Sequence, residues 1–276
     1  MNSYNELIKL YRPITAYPFQ RSRSYTEIMP GNAMKPYIRC FWGTDEAASA
    51  DGTEKMPRLI IPDTCMDIIF RFDRDNVLID SGFCTIDERP YYSNNNGMLS
   101  SVFAIRFHPW AVTLFTGSPL TDSRNKAFAA EEFFPKLQKE LPEMLMATDS
   151  LTRRAAIAEK YLSANIRTEH INSNMMNAVH DIIASGGTVR TSELAEKNAV
   201  STRQLERIFN FNMGISPKNF SSLVRYQMLW QEMCFRDANI LDLVEKYGYS
   251  DQSHLLNDFK KRHSMSPKQA LAFTKA

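Results

Sequence analysis

Four side chains near the C-terminal end, Thr202, Arg203, Glu206 and Arg207, have the spacing of neighbours on one face of a helix. A guanidinium forks onto the O6 and N7 of guanine or grips a phosphate, and a carboxylate accepts from the cytosine amino group. Fifty residues later Gln252, Ser253, His254 and Asn257 hold comparable places. Amides of this kind pair with adenine, and hydroxyls serve either base edges or phosphates. This is the chemistry of reading a groove.

Both sets must be held by something, and the chain supplies the same holder twice. Leu194-Ala195-Glu196-Lys197 returns as Leu243-Val244-Glu245-Lys246, and Leu205, Phe209 and Ser216-Pro217 return as Leu255, Phe259 and Ser266-Pro267. A period of about 50 residues marks a duplicated structural unit. In the first copy Thr191 or Ser192 is the expected cap of a short helix, and Ser201 caps the next. Leu205, Ile208 and Phe209 form its apolar stripe, and Gly214 ends it in a left-handed conformation. In the second copy Asn239 is the expected cap, Gly248 makes the turn and Asp251 opens the helix carrying Leu255 and Phe259. Each copy therefore reads as a helix-turn-helix. Between them Ser216-Pro217 opens a long helix running to about Phe235, with Phe220, Leu223, Val224, Met228 and Leu229 mostly on one side. Two recognition helices fixed by one long helix suit successive major grooves, about 34 Å apart.

These elements resemble the DNA-binding domain of the AraC/XylS family of transcription regulators. The resemblance covers roughly the last 105 residues and rests on particular motifs. They are Ser201-x-x-x-Leu205-x-Arg207-x-Phe209, Gly214-x-Ser216-Pro217, Arg225, Gly248-Tyr249-Ser250-Asp251-Gln252-Ser253-His254, Phe259-Lys260-Lys261 and Ser266-Pro267. It implies that Ser201, Thr202, Arg203, Glu206, Arg207, Lys218, Gln252, Ser253, His254, Asn257, Lys260 and Lys261 face double-stranded DNA. It further implies an effector, a homodimer and, for an activator, contact with RNA polymerase. Leu255, Asn257, Ser264 and Val244 depart from the family's usual Phe, Arg, Gly and Ala. Asn257 matters most, because an amide stands where a cation is usual, so the second unit is expected to add less affinity.

Bulk charge is no guide. The 33 basic and 31 acidic residues leave a net +2. From Thr168 onward there are 13 Lys and Arg against 11 Asp and Glu, so DNA affinity must come from placement of Arg203, Arg207, Lys218, Arg225, Lys260, Lys261 and Arg262. No apolar run reaches the roughly 20 residues of a membrane span, and no signal-peptide core is evident. Cys40, Cys65, Cys84 and Cys234 show no metal-ligand spacing. A reduced, cytoplasmic protein without a cofactor is expected.

Residues 1–165 read as a β-rich domain with trailing helices, and 166–276 as the all-α double helix-turn-helix domain, an α+β chain in total. Strands are expected over 36–42, 58–61, 66–72, 76–79 and 101–107, with a turn at Asp73-Arg74-Asp75-Asn76 and a polar loop over 93–97. That spacing suggests a barrel or sandwich. Helices are expected over 111–116, 129–145, 151–165 and 175–184, the last stopped by Gly186-Gly187, with 166–173 as the linker. Ile61-Pro62-Asp63, Met66-Asp67-Ile68-Ile69-Phe70 and Ile105-Arg106-Phe107-His108-Pro109 resemble an N-terminal domain found in some AraC-type regulators. His108 is the only histidine before residue 165, which excludes a His-rich metal centre, and the cysteines do not offer the zinc-thiolate site of a DNA-repair activator. No nucleophile, phosphate-loop or dinucleotide motif is present, so no enzyme is expected. Trp42, Phe70, Arg71, Phe103 and Arg106 are candidates to bind a small effector. The alternative is a DNA-anchored interaction module whose N-terminal domain binds a protein. The apolar helical segments 133–145 and 151–162 are candidate faces for a two-fold interface.

Overall fold

Apolar residues alternating along the strands give the N-terminal region its main sheet, and the alternation decides which face is core. The structure is a computed structural model that describes residues 7–14, 16–17, 25–45, 58–93, 101–236 and 238–275. Six antiparallel strands lie in the order β2 (Tyr25–Ile28), β3 (Ile38–Asp45), β8 (Ser101–Phe107), β5 (Met66–Phe72), β6 (Leu78–Cys84) and β9 (Ala127–Ala129). A second sheet orders β1 (Ala16–Tyr17), β4 (Arg58–Ile60) and β7 (Tyr91–Ser93). Among the described residues β2 and β9 do not pair with each other, so the larger sheet is open and the closed-barrel alternative is corrected.

In register, Phe70 stands opposite Phe103 and Ile68 opposite Ile105, and the rings of Phe41, Phe103 and Phe70 stack across three strands at 6.1 and 6.2 Å. The Asp73 carboxylate accepts from the backbone of Asp75 and Val77, which closes the β5–β6 hairpin where it was expected, with Asn76 at φ +63°. Residues 94–97 of the expected polar loop lie outside the described residues.

The helical segment expected over 129–145 is two helices, α1 (Ala130–Phe133) and α2 (Pro135–Met146), because Pro135 cannot continue α1 and instead starts the next. The segment expected over 111–116 tightens to a 3₁₀ turn at Val112–Leu114. α3 (Leu151–Asn165) packs on the sheet, with Leu151 against Gly43 and the Arg154 guanidinium 3.7 Å from the centre of the Phe72 ring. Leu137, Leu141 and Leu145 of α2 and Ala155, Ala158 and Leu162 of α3 are buried in the core of this same chain. A 3₁₀ turn at Thr168–His170 then leads into α4 (Ser173–Ala184), capped by Asn172.

The C-terminal helices follow the sequence closely. α5 (Thr191–Lys197) and α6 (Thr202–Met213) form the first unit, and α8 (Ile240–Lys246) and α9 (Gln252–His263) the second, with α10 (Pro267–Lys275) behind. Ser201, Asn239 and Asp251 cap α6, α8 and α9 as expected. The exception is α5, whose N-cap is Arg190 without a side-chain bond, so Thr191 and Ser192 are already inside the helix.

α7 (Pro217–Phe235) belongs to both units. Its Phe220, Leu223 and Val224 join the core of Leu194, Leu205 and Phe209, while Leu229, Trp230 and Met233 join that of Leu243, Leu255 and Phe259. One continuous helix thereby holds both α6 and α9.

The two units share a backbone device with different residues. The turn residue is Ala199 (φ +51°) in the first and Gly248 (φ +63°) in the second, while the residue ending the recognition helix is Gly214 (φ +68°) and then Ser264 (φ +60°). A side chain in that region is strained by about 1–2 kcal/mol, part of which glycine returns as unfolded-chain entropy. Ala199→Gly and Ser264→Gly should each raise stability by about 1 kcal/mol in urea unfolding. Destabilisation by both would contradict the strain argument.

Candidate nucleic-acid interface

α6 buries Leu205 and Phe209 and turns Thr202, Arg203, Glu206 and Arg207 outward, because the apolar stripe leaves only the opposite face to solvent. The Ser201 hydroxyl accepts from the Gln204 amide at 3.1 Å, holding the first turn in place. Arg203 and Arg207, four residues apart, have no ion-pair partner among the described residues. Their guanidinium groups remain available for a phosphate or a guanine edge.

α9 is built the same way with different chemistry. Gln252, Ser253, His254 and Asn257 are all exposed. The Asp251 carboxylate accepts from the His254 amide at 2.8 Å, and that bond holds the Asp251 carboxyl below its ordinary value. The His254 ring is restrained, with Nδ1 3.2 Å from Ser250 Oγ and its plane edge-on to Tyr249. Lys260 and Lys261 are exposed in the last turn of α9, and Lys218 in the first turn of α7.

Two basic residues counted toward DNA affinity are structural instead. Arg262 is buried, paired through Nε with Asp258 at 3.2 Å and donating from Nη2 to Ser222 Oγ at 2.7 Å, so it ties α9 to α7. Arg225 donates to the Gly187 carbonyl at 3.0 Å and lies over the Tyr249 ring, joining α7 to the turn before α5 and to the second unit. Gln204 is not singled out in sequence, yet with Arg203, Arg207 and Asn210, which the sequence places on the outer face of this helix, it lines one wall of a cleft of about 980 Å³. The other wall is Asp122, Arg124, Asn125 and Lys126 of the N-terminal region. No local sequence signal marks those four residues, because only the fold brings them beside α6.

The effector candidates divide between two faces. Trp42, Arg71 and Arg106 share one face of the main sheet, and Phe70 and Phe103 lie in the core on the other. Arg106 is a buried hub, donating to both carboxylate oxygens of Asp67 at 2.9 and 2.8 Å with Asp63 3.7 Å away. Burial opposes its charge, and the two carboxylates outweigh that, so its pKa stands above the ordinary value. The Trp42 indole donates to Asp67 at 2.8 Å, while Arg71 pairs with Asp80 at 2.6 Å toward solvent. No cluster of three or more metal-ligating side chains occurs among the described residues, and no helix of theirs is long and apolar enough to cross a membrane.

Two buried histidines give the fold an acid limit. His263, stacked on Phe259 and hydrogen-bonded to the Tyr226 hydroxyl at 2.8 Å, is pushed down to about 4 by burial. Burial beside Arg39 takes His108 down to about 3. As pH falls below the ordinary value of 6.5, the unfolded chain takes up protons that these folded histidines refuse, so stability falls. Asp87 works in the opposite sense: burial and Asp63 push it up to about 7, so its contribution weakens as pH rises toward 7. His263→Asn and His108→Asn should therefore lose less stability between pH 7 and pH 5 in denaturant titrations than the unaltered chain. Identical pH slopes would contradict this.

Comparison with known proteins agrees with the geometry. A family model described as a helix-turn-helix domain matches residues 194–272, and one described as a domain of unknown function (DUF6597) matches residues 26–129. The "HTH-type transcriptional activator RhaS" of Mannheimia succiniciproducens is 29% identical over 77 residues, which are 28% of this chain and 29% of that protein. RhaS of Yersinia pestis (strain Pestoides F) is 28% identical over 80 residues, 29% of each. The chain thus matches less than a third of the length of these curated relatives. Among solved structures, an AraC-type transcriptional regulator from Chromobacterium violaceum aligns over 36% of this chain and 89% of its own, at 23% identity and a TM-score of 0.34. ToxT from Vibrio cholerae aligns over 92% and 100% at 10% identity and a TM-score of 0.44. The repeated units and the matched family model together identify residues 194–272 as a helix-turn-helix domain.

Proposed function

We propose that this chain is a sequence-specific transcription regulator in which residues 166–276 read double-stranded DNA and residues 1–165 respond to a small-molecule effector. The observation that carries the reading is the pair of recognition helices on one shared rod, each with its polar face in solvent. The names of the curated relatives, transcriptional activators with a helix-turn-helix, support the same role.

The effector belongs on the polar face of the main sheet, around Trp42, Asp67 and Arg106, because a buried guanidinium with two carboxylates changes its pairing when a charged or hydrogen-bonding ligand enters. A route leads from there to the DNA domain. Asp63, which faces Arg106, follows Pro62, whose carbonyl accepts from the Gln227 amide of α7 at 2.6 Å. Leu59 and Ile61 on the same segment lie in the core of the second unit.

On a duplex selected from a random-sequence library, Arg203→Ala should weaken binding by about 1–3 kcal/mol if Arg203 forks onto guanine. Unchanged affinity at physiological salt would contradict that placement. The contrast between α6 and α9 makes the first half-site the stronger one, since cations dominate affinity while amides mainly discriminate. Scrambling the first half-site should cost more than scrambling the second, and Asn257→Arg should steepen the salt dependence by about one unit. The reverse order of costs would overturn the asymmetry.

A further inference from the structure

The first recognition helix has a neighbour that belongs to the other half of the chain. Arg203, Arg207, Asn210 and Gly214 form one ridge along α6, and that ridge borders the cleft whose far wall is the loop 122–126. The loop is fixed to the helix. The Leu120 amide donates to the Phe211 carbonyl at 2.8 Å, Thr113 Oγ1 donates to Asn212 Oδ1 at 3.1 Å, and the Asp122 amide donates to Asn210 Oδ1 at 3.4 Å. Gly214 is the point of closest approach, where any side chain would collide with Ser123 and the Leu120 carbonyl. Within the loop Asp122 and Asn125 both stand at φ +57°, and Asn125 is held by accepting from the Glu88 amide at 2.7 Å. Asp and Asn tolerate this left-handed backbone, and the bonds on both sides hold the loop in one shape beside α6.

The charges are arranged toward the gap. Arg124 and Lys126 come from the loop and Arg203 and Arg207 from the helix, against the carboxylates of Asp122 and Glu206. Among the residues lining the cleft the basic side chains outnumber the acidic ones by two, and by one when Glu88, which pairs with Arg124, is counted. Arg124 stays 45% exposed beside Glu88 at 2.9 Å, and Lys126 is exposed with no ion-pair partner among the described residues. A helix about 10–12 Å across fills a major groove about 12 Å wide, so the phosphate strand bordering the groove must run along the helix flank. On the ridge side that flank is the cleft.

We propose that loop 122–126 is a phosphate-binding part of the DNA interface. One sugar–phosphate strand at the first half-site lies in the cleft, with Arg124 and Lys126 on its phosphates opposite Arg203 and Arg207. The N-terminal region then fixes the register of the first recognition helix on DNA, as phosphate contacts do. This rests on the DNA-reading function proposed above.

The test uses the full chain, the selected duplex and a non-specific duplex of equal length, with affinity measured across salt concentrations. The double variant Arg124→Ala/Lys126→Ala should lower the slope of log affinity against log salt by roughly two units on both duplexes, and weaken binding roughly tenfold or more at low salt. Glu88→Gln, which breaks the Arg124 ion pair but keeps both cations, should leave the slope unchanged, and Arg124→Lys/Lys126→Arg should retain it. An unchanged slope in the double variant overturns the proposal, as does tighter binding, which would mean that the loop shields the helix from DNA. An equal loss in Glu88→Gln would also overturn it, by showing that the loop acts only through its shape. Arg203→Ala/Arg207→Ala is the separate control. If that variant also binds as the unaltered chain does, the DNA-reading function itself fails; if it loses binding while the loop variant does not, only the loop proposal falls.

Discussion

A side-chain amide in α7 is, among the described residues, the most deeply buried polar tie between the halves of this protein. Gln227 is fully buried in the middle of α7, accepts from the Ile14 amide at 2.8 Å, and donates to the carbonyls of Ile14 at 2.8 Å and Pro62 at 2.6 Å. Leaving any of these buried groups unpaired costs about 1–3 kcal/mol, so the amide can be replaced only by rearranging all three. It lies between the stretch of α7 that serves the first unit and the stretch that serves the second. The N-terminal region is therefore docked onto the rod that sets the relation of the two recognition helices. A second set of contacts, from Thr113, Leu120 and Asp122 to the end of α6, holds the first unit directly. Pro62 and Leu120 are thus direct links from the N-terminal region to α7 and to the end of α6.

The charge distribution follows from that arrangement. A chain with a net charge of +2 has no general attraction to DNA, so affinity depends on cations that the fold leaves unpaired and collects in one place. Arg203 and Arg207 meet that condition, whereas Arg225 and Arg262, equally basic in sequence, are used to lock helices together. The second unit presents amides, a hydroxyl and a restrained imidazole, which favour discrimination over attraction.

The DNA domain was largely legible in the sequence because its signals are local. Cap residues, apolar residues three and four apart, a proline at a helix start and a glycine at its end lie within a turn of what they control. Where the sequence pointed elsewhere, the deciding term was tertiary. Arg262 carries no mark that distinguishes it from Lys260 and Lys261 until Ser222 and Asp258 are placed beside it. β2, β7 and β9 have three or four residues each, too few for an alternation to stand out, and Ala127–Ala129 has the composition of a helix start. Phe134-Pro135 divides two helices that share one apolar periodicity. The effector candidates were chosen by residue type, which does not tell the two faces of a strand apart, and they divide accordingly between core and polar face. The loop 122–126 has no signal of its own, since its place beside α6 is set by residues nearly 90 positions away.

The central claim is that two recognition helices, fixed by α7, enter successive major grooves on one side of DNA. Hydroxyl-radical footprinting of the full chain on a selected duplex tests it most directly. The account predicts two protected tracts on one face of the helix, their centres about 10 base pairs apart. A single protected tract, or two tracts on opposite faces, would contradict it.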